Sequence, residues 1–207
     1  MDSYKTIAQA IRIQHKIKKC KFISSIKNVT SVEEAEEFIA EVAAEFSDAT
    51  HNVYAFKVGL ADQAVTRSSD DGEPSGSSGP PALQAITGKG LTNTAVVVTR
   101  YFGGVKHGVG GLIRAYGDSV RAAISEAGII KKTRYIKLAI KVSYNMMGSV
   151  INDLEGSQAQ VENTEYTNDG VRIIAVMQPS RIDSFKNRIK EETKGEADFE
   201  QLEEVFE

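Results

Sequence analysis

The sequence predicts an α+β protein built from two domains, and three observations support this class. The last third of the chain alternates strand-like and helix-like apolar patterns in the order β-α-β-β-α-β. The preceding residues combine a strand of consecutive valines with two amphipathic helices. Charge also divides the chain, since residues 1–134 contain 17 basic and 14 acidic residues and residues 135–207 contain 8 and 14. We therefore predict one domain at 1–134 and a second at 135–207.

The C-terminal domain is predicted element by element from its periodicity. Alternating apolar positions indicate a half-buried first strand, and a Thr-Asn-Asp-Gly sequence is typical of a hairpin turn. The predicted elements are a strand at 135–143, a helix from Asn145 to Gly156, strands at 158–166 and 171–178, a helix from Pro179 and a last strand ending at Phe206. This order is the split βαβ of a ferredoxin-like domain.

The N-terminal domain is predicted from capping and burial patterns. Ser31 and Glu34 form a capping-box signature ahead of an amphipathic helix. The valine run indicates a strand buried on both faces, and the long helix after it places Ile113 and Tyr116 toward the core. The predicted elements are two extended segments at 4–13 and 18–26 that pair as an antiparallel edge, a helix from Ser31 to Phe46, strands at 52–58 and 94–99, and a helix at 111–127.

Composition excludes several protein classes. The chain of 207 residues is 41% hydrophobic and 26% charged, as expected of a folded globular protein. Its first residues lack the apolar run of a signal peptide or membrane span, so we expect a cytoplasmic protein without membrane association. The single cysteine, Cys20, cannot form an internal disulfide and is interpreted as a structural thiol. A net charge of +3 for residues 1–134 and of -6 for the remainder places any nucleic-acid surface on the first domain.

Two charged segments interrupt the regular patterns. Residues 70–81 contain three carboxylates, three glycines and three prolines, which predicts a shaped loop with no helix. Residues 100–111 are rich in glycine and stand before a helix N-terminus, where backbone N–H groups favour an anion. With Arg100, Lys106 and Arg114 nearby, this turn suits a phosphate of RNA or of a small ligand; alternatively, the glycines only permit a tight turn. Neither a P-loop nor a G-x-G-x-x-G pattern is present, so we expect no cofactor.

Carboxylates and histidines near these segments allow two kinds of chemistry. Asp48 and His51 could orient a general base. Hard carboxylates with imidazole also suit several divalent ions, and the residues available for such a set would be Asp48 and His51 with Asp70, Asp71, Glu73 and His107. Local capping and loop bracing explain the same residues without any catalysis.

Other side chains have a functional and a structural interpretation. Ser75 is not part of a G-x-S-x-G elbow, so serine hydrolysis has little support. Tyr101 and Phe102 could stack on bases, or they could belong to the core. The lysine cluster is interpreted as a solvated edge that discourages strand addition, or as a set of phosphate contacts; its members are Lys16, Lys18, Lys19 and Lys21.

Four segments carry a recognisable signature. They are 48–52 (DATHN), 69–76 (SDDGEPSG), 98–104 (VTRYFGG) and 110–117 (GGLIRAYG). In this order they resemble the signature of the Impact family over about residues 15–127, and the downstream split βαβ is similar to the second domain of YigZ-like bacterial and archaeal members. The resemblance implies a ribosomal-protein S5 domain-2-like first domain and a second domain resembling one of elongation factor G.

The leading hypothesis is a non-enzymatic, translation-linked regulatory or binding protein whose first domain binds RNA, the ribosome or a protein partner in translation control. One alternative is a metal-assisted phosphate-ester or peptide hydrolase that uses the same residues. Another is a protein-binding module that the ferredoxin-like domain positions. All of them require the distant segments to meet in one charged recess. The residues predicted to form it are Asp48, His51, Asp70, Asp71, Glu73, Ser75, Arg100, Tyr101, Gly103, Gly104, Lys106 and Arg114.

Overall fold

A computed structural model describes residues 2–207 of the protein. Two compact units are present: residues 4–131 form the N-terminal unit, and residues 132–207 with the first residues of the chain form the C-terminal unit. Both combine helices with antiparallel sheet, so the predicted α+β class is confirmed. None of the helices in residues 2–207 is long and apolar enough to cross a membrane.

The N-terminal unit is a five-stranded antiparallel sheet with the order β2-β3-β6-β4-β5. The elements up to residue 127 are β1 Ser3–Ile7, β2 Ile11–Ile17, β3 Cys20–Asn28, α1 Val32–Glu45, β4 His51–Val58, β5 Val65–Ser69, α2 Gly79–Gly88, β6 Thr94–Tyr101 and α3 Val109–Ala127. The capping box predicted at α1 forms as expected, since Ser31 Oγ accepts a hydrogen bond from Glu34 N at 3.1 Å.

The valine-rich strand β6 lies at the centre of this sheet. Ala95 packs with the residues of α1, whereas Val96 and Val98 pack with α2 and α3 on the opposite face. The prediction that this strand is buried on both faces is confirmed, because all residues from Thr94 to Arg100 are buried. The strand therefore holds its last residues at a fixed place in the sheet.

Several predicted elements of the N-terminal unit are wrong in detail. The extended segment at 4–13 is two strands, β1 and β2, of which β2 pairs β3 at the sheet edge. The loop predicted for 70–81 ends early, because α2 begins at Gly79. Two prolines in its first turn cost nothing there, since the first N–H groups of a helix have no internal partner. Ile113, predicted to face the core, is 41% exposed.

The C-terminal unit has the predicted βαββαβ order, with strands arranged as β10-β7-β9-β8. Its elements are β7 Ile129–Val142, α4 Met147–Gly156, β8 Gln160–Thr167, β9 Gly170–Met177, α5 Pro179–Glu192 and β10 Asp198–Phe206. Strand β7 starts six residues earlier than predicted. Leu138, Ile173 and Phe185 are fully buried in its own apolar core, so this unit packs as a ferredoxin-like domain.

Candidate functional site

A cavity of about 400 Å³ opens in the N-terminal unit where four parts of the chain meet. These parts are the start of β4, the loop before α2, the end of β6 and the connection from β6 to α3. Four of the predicted site residues line it together: His51, Glu73, Arg100 and Lys106. The remaining lining residues are Thr50, Pro74, Phe102, His107, Gly108, Val109 and Leu112.

The floor of the cavity is a buried charge network. Arg100 Nη1 donates to Glu73 Oε1 at 2.5 Å, and the two side chains are only 6% and 4% exposed. Tyr116 Oη donates to the same oxygen at 2.7 Å. Burial and then the Glu73 carboxylate raise the pKa of Tyr116 far above its ordinary value, so the phenol remains a donor. Two donors thus hold one carboxylate in a fixed orientation.

The strand register places His51 beside this network. His51 on β4 pairs with Arg100 on β6, and its Nδ1 lies 2.7 Å from the carbonyl oxygen of Asp71. A carbonyl oxygen only accepts, so Nδ1 carries the hydrogen, as assigned from this contact. The other ring nitrogen, Nε2, lies 3.8 Å from Glu73 Oε2, and both side chains belong to residues that line the cavity.

Asp70 and Asp71 brace the loop that carries Glu73. Asp70 accepts backbone hydrogen bonds from Gly76, Ser78 and Gly79 at 2.7 to 2.9 Å. Burial by itself raises the pKa of Asp70, but the three N–H donors together bring that pKa below its ordinary value. Asp71 Oδ2 accepts the backbone N–H of Asn52 at 2.5 Å. These two carboxylates are committed to the backbone and shape the site without lining it.

Arg100 also contacts the thiol of Cys20 and a second histidine of the cavity lining, His107. Its Nη2 donates to Cys20 Sγ and to His107 Nδ1, both at 3.4 Å, and Gly103 N donates to the same sulfur at 3.3 Å. Burial, followed by the charges of Arg100 and Lys18, lowers the pKa of His107, so this imidazole stays neutral. The buried atoms Arg100 Nε and His107 Nε2 have no hydrogen-bond partner within residues 2–207.

The rim of the cavity is aromatic and basic. Phe102 is 46% exposed, and its backbone N–H is held by Thr50 Oγ1 at 3.0 Å. Lys106 is exposed beside it. Gly103 allows the turn between β2 and β3 to approach closely, because a Cβ atom there would lie 1.9 Å from Lys19 O. The lysine-bearing hairpin is therefore a neighbour of the cavity.

The other predicted site residues lie outside the cavity lining. Tyr101 Oη donates to Asp48 Oδ1 at 2.7 Å, which together with burial raises the pKa of Tyr101, and Lys21 Nζ lies 3.8 Å from the ring centre. Ser75 is exposed at the tip of the loop, and Arg114 is exposed on α3. Gly104 adopts a left-handed φ of 82° in the connection after β6.

Sequence reasoning missed part of the network. Cys20 was interpreted as a structural thiol and Tyr116 as ordinary core, although each contacts a charged residue of the site. The available signal for Tyr116 was a phenol on the buried face of a helix, since a buried hydroxyl needs a partner. No comparable signal in the sequence marks Cys20, because its contact with Arg100 depends on the register of β3 against β6.

The metal alternative requires several carboxylate and imidazole side chains to converge on one point. Within residues 2–207 there is no group of three or more His, Cys, Asp or Glu side chains placed to hold a metal ion. Of the three carboxylates that this alternative places on the metal, Asp70 and Asp71 accept backbone N–H groups, and Glu73 accepts from Arg100 and Tyr116.

Comparison with known proteins identifies the family. The family model of the Impact N-terminal domain matches residues 18–124. The protein YvyE of Bacillus subtilis (strain 168), an IMPACT family member, is 34% identical over 97% of this chain and 92% of its own length. This chain belongs to the IMPACT family. The IMPACT family member YigZ of Escherichia coli (strain K12) is 32% identical over 80% of the chain and 82% of its own length.

The second unit and the solved structures agree with this assignment. The family model of the elongation factor G C-terminus matches residues 135–206, as the resemblance implied. A crystal structure of a hypothetical protein is 28% identical, with a TM-score of 0.65 and 98% of each chain covered. A crystal structure from Thermus thermophilus, at 10% identity and a TM-score of 0.53, covers all of this chain and 30% of its own and shows a shared fold alone. The IMPACT family is linked in general to translation regulation.

Proposed function

We propose that this protein is a cytoplasmic, translation-linked binding protein that uses the cavity of its N-terminal unit to bind single-stranded RNA, free or in the ribosome. The observation that carries the proposal is the rim, where an exposed aromatic ring and a lysine stand over one recess. Phe102 offers a stacking surface and Lys106 offers a cation for phosphate. Aromatic rings with nearby cations are the usual means of binding unpaired nucleotides.

The lysine hairpin supports the same proposal. Lys18 lies close enough to the cavity to lower the pKa of His107. Both Lys18 and Lys19 adopt left-handed backbone conformations in the turn, with φ of 51° and 96°. The backbone of this turn lies against Gly103, the residue after Phe102 of the rim. A phosphate chain entering the cavity would therefore pass several positive charges.

The start of α3 adds a site for a phosphate. Gly108, its N-cap residue, lines the cavity and has no side chain to cap the first N–H groups. Unpaired N–H groups and the helix dipole attract an anion at this end of a helix. The anion-binding interpretation of the glycine-rich turn is therefore retained as part of the proposal.

Salt dependence tests the proposal directly. A fluorescently labelled uridine decamer should bind the full chain, and a plot of log affinity against log salt concentration should be linear with a negative slope. Each phosphate neutralised should contribute about -0.7 to that slope. Lys106→Ala should weaken binding and make the slope less negative by about 0.7.

Lys57→Ala is the matched control for this experiment. Lys57 lies six residues from His51 along β4, about 20 Å at the rise of a strand, so its removal should leave the slope unchanged. A flat salt response of the wild-type chain would contradict the RNA proposal. If the chain instead binds a protein partner and that affinity does not change with salt concentration, the protein-binding alternative is favoured.

One observation favours a second candidate, phosphate-ester hydrolysis with His51 as general base. Nδ1 of His51, a residue of the cavity lining, is fixed on the carbonyl of Asp71, and this contact leaves Nε2 as the nitrogen available for proton transfer. Incubating the bound decamer with the wild-type chain and with His51→Gln tests it. Product that forms equally with both proteins, or with neither, contradicts this candidate.

A further inference from the structure

We infer that the cavity receives one unpaired guanine base, whose neighbouring N–H donors are accepted by Glu73 and His51. The inference rests on the proposed binding of single-stranded RNA and adds the identity of the base. Three features of the cavity lead to it. They are the oxygen of Glu73 that accepts no hydrogen bond, the tautomer of His51, and the charge and apolar character of the cavity walls.

Glu73 retains one acceptor atom for a ligand. Both donors of the floor, Arg100 and Tyr116, use its Oε1. Its Oε2 lies 3.8 Å from His51 Nε2, which is beyond hydrogen-bond distance. Within residues 2–207 the structure shows no hydrogen bond to Oε2. Glu73 lines the cavity, and a carboxylate oxygen without a hydrogen bond there gains from a donor, so Oε2 favours a ligand that presents an N–H group.

His51 provides a second acceptor on the same side of the cavity. Because its Nδ1 carries the hydrogen bonded to the carbonyl of Asp71, Nε2 is the acceptor nitrogen of the ring in this tautomer. The cavity thus presents two acceptors 3.8 Å apart, Nε2 of His51 and Oε2 of Glu73. The complement of two neighbouring acceptors is a group with two neighbouring donors.

Guanine is the RNA base with this pattern on its pairing edge. Its N1–H and its N2 amino group are adjacent donors, whereas adenine, cytosine and uracil each lack two adjacent donors on that edge. Unpaired bases are commonly read on this edge while their faces stack on aromatic rings. Phe102 on the rim is exposed for such stacking.

The charges of the cavity disfavour a cationic ligand with the same donors. An ammonium or guanidinium group would satisfy both acceptors, but Arg100 already neutralises Glu73 and Lys106 adds a further positive charge. Pro74 and Leu112 make the walls partly apolar, which suits a neutral planar ring. The O6 atom of guanine also gives Lys106 an acceptor. A volume of about 400 Å³ lies in the range of small-ligand cavities.

Hexaribonucleotides with one changed base test the inference. The probes are uridine hexamers with guanosine, inosine or adenosine at the third position, and inosine differs from guanosine only by lacking the 2-amino group. Binding is measured by anisotropy with the full chain at one salt concentration. Hydrogen bonds to charged groups predict that guanosine binds about tenfold to a hundredfold more tightly than adenosine. Inosine, with one donor left, should bind at least about fivefold more weakly than guanosine.

Protein variants locate the effect in the cavity. His51→Ala should lose most of the guanosine preference, whereas Phe102→Ala should weaken all three hexamers together because stacking tolerates every base. Circular dichroism confirms that each variant is folded. The inosine comparison needs no variant and keeps the test valid if one of them does not fold.

The outcomes separate this inference from the function on which it rests. If all three hexamers bind equally and with a negative salt slope, the RNA proposal stands and the guanine inference is wrong. If no hexamer binds, the proposed function itself fails. Displacement of the guanosine hexamer by millimolar arginine amide, with no displacement by guanosine monophosphate, would show that the cavity selects a cation and would also overturn the inference.

Discussion

The buried pair of Glu73 and Arg100 allows a quantitative prediction. Glu73→Gln keeps the size of the side chain and an acceptor oxygen but removes the negative charge. The Arg100 guanidinium, 6% exposed, is then left uncompensated. Breaking a buried pair by removing one partner costs about 3 to 5 kcal/mol. Because the hydrogen bonds from Arg100 and Tyr116 can persist, we expect a loss near the lower end, about 3 kcal/mol in the free energy of unfolding.

Urea unfolding of the full chain measures this loss. With a slope of about 2 kcal/mol per molar, a loss of about 3 kcal/mol lowers the midpoint by about 1.5 M. Since a chain of two units need not unfold in one step, hydrogen exchange of peptides from β6 and β9 should report each unit separately. We expect Glu73→Gln to change the hydrogen exchange of the β6 peptides.

A matched control uses the same substitution at an exposed pair. Glu45→Gln removes the partner of Arg12, and both of those side chains are 40% or more exposed, so the midpoint should move far less. Equal shifts for Glu45→Gln and Glu73→Gln would refute the reasoning. A further check is Glu73→Leu with Arg100→Met, which removes both charges and should recover part of the loss seen with Glu73→Leu alone.

Three other perturbations have defined outcomes. Asp70→Ala removes the acceptor of three backbone N–H groups and should cost about 1 to 2 kcal/mol of unfolding free energy in urea, without loss of any bound metal. Gly103→Ala forces a Cβ against Lys19 O and should cost about 1 to 3 kcal/mol, whereas Gly88→Ala, in open space, should not. The pKa of His107 is lowered from 6.5 in the folded protein. The contribution of the neutral imidazole to stability is therefore complete above pH 6.5 and is lost as the pH falls through the lowered pKa. His107→Gln should therefore show a smaller drop in urea midpoint from about pH 7.5 to about pH 5.

The sequence was informative where periodicity and local chemistry agree. The valines of β6, the capping box at Ser31 and the βαββαβ order of the second unit all follow from patterns within a few residues. The sequence does not predict helix α2, because Pro80 and Pro81 indicate a break in regular structure. Proline is tolerated in the first turn of a helix, but the sequence does not show that the helix begins at Gly79. Ile113 was assigned to the core because apolar periodicity does not show where the packed face of a helix ends.

The site was predictable only as a set of segments. The sequence suggested that residues near His51, Glu73 and Lys106 meet, and the structure places those three side chains around one cavity. The sequence does not show which atoms contact one another, because these contacts depend on strand register. One example is the pairing of His51 with Arg100. Conversely, the sequence indicates Asp70 and Asp71 as candidate metal ligands, but both carboxylates accept hydrogen bonds from backbone N–H groups.

The position of Arg100 near the end of β6 makes the protein sensitive to small changes in chain length. Side chains on a strand alternate between the two faces, so deleting one residue between Thr94 and Thr99 would exchange the faces of everything beyond the deletion. The guanidinium would then point toward α1, and its neighbour would occupy the floor of the cavity. Homologous chains and engineered insertions should accordingly vary in the loops flanking β6 and keep the length of the strand itself.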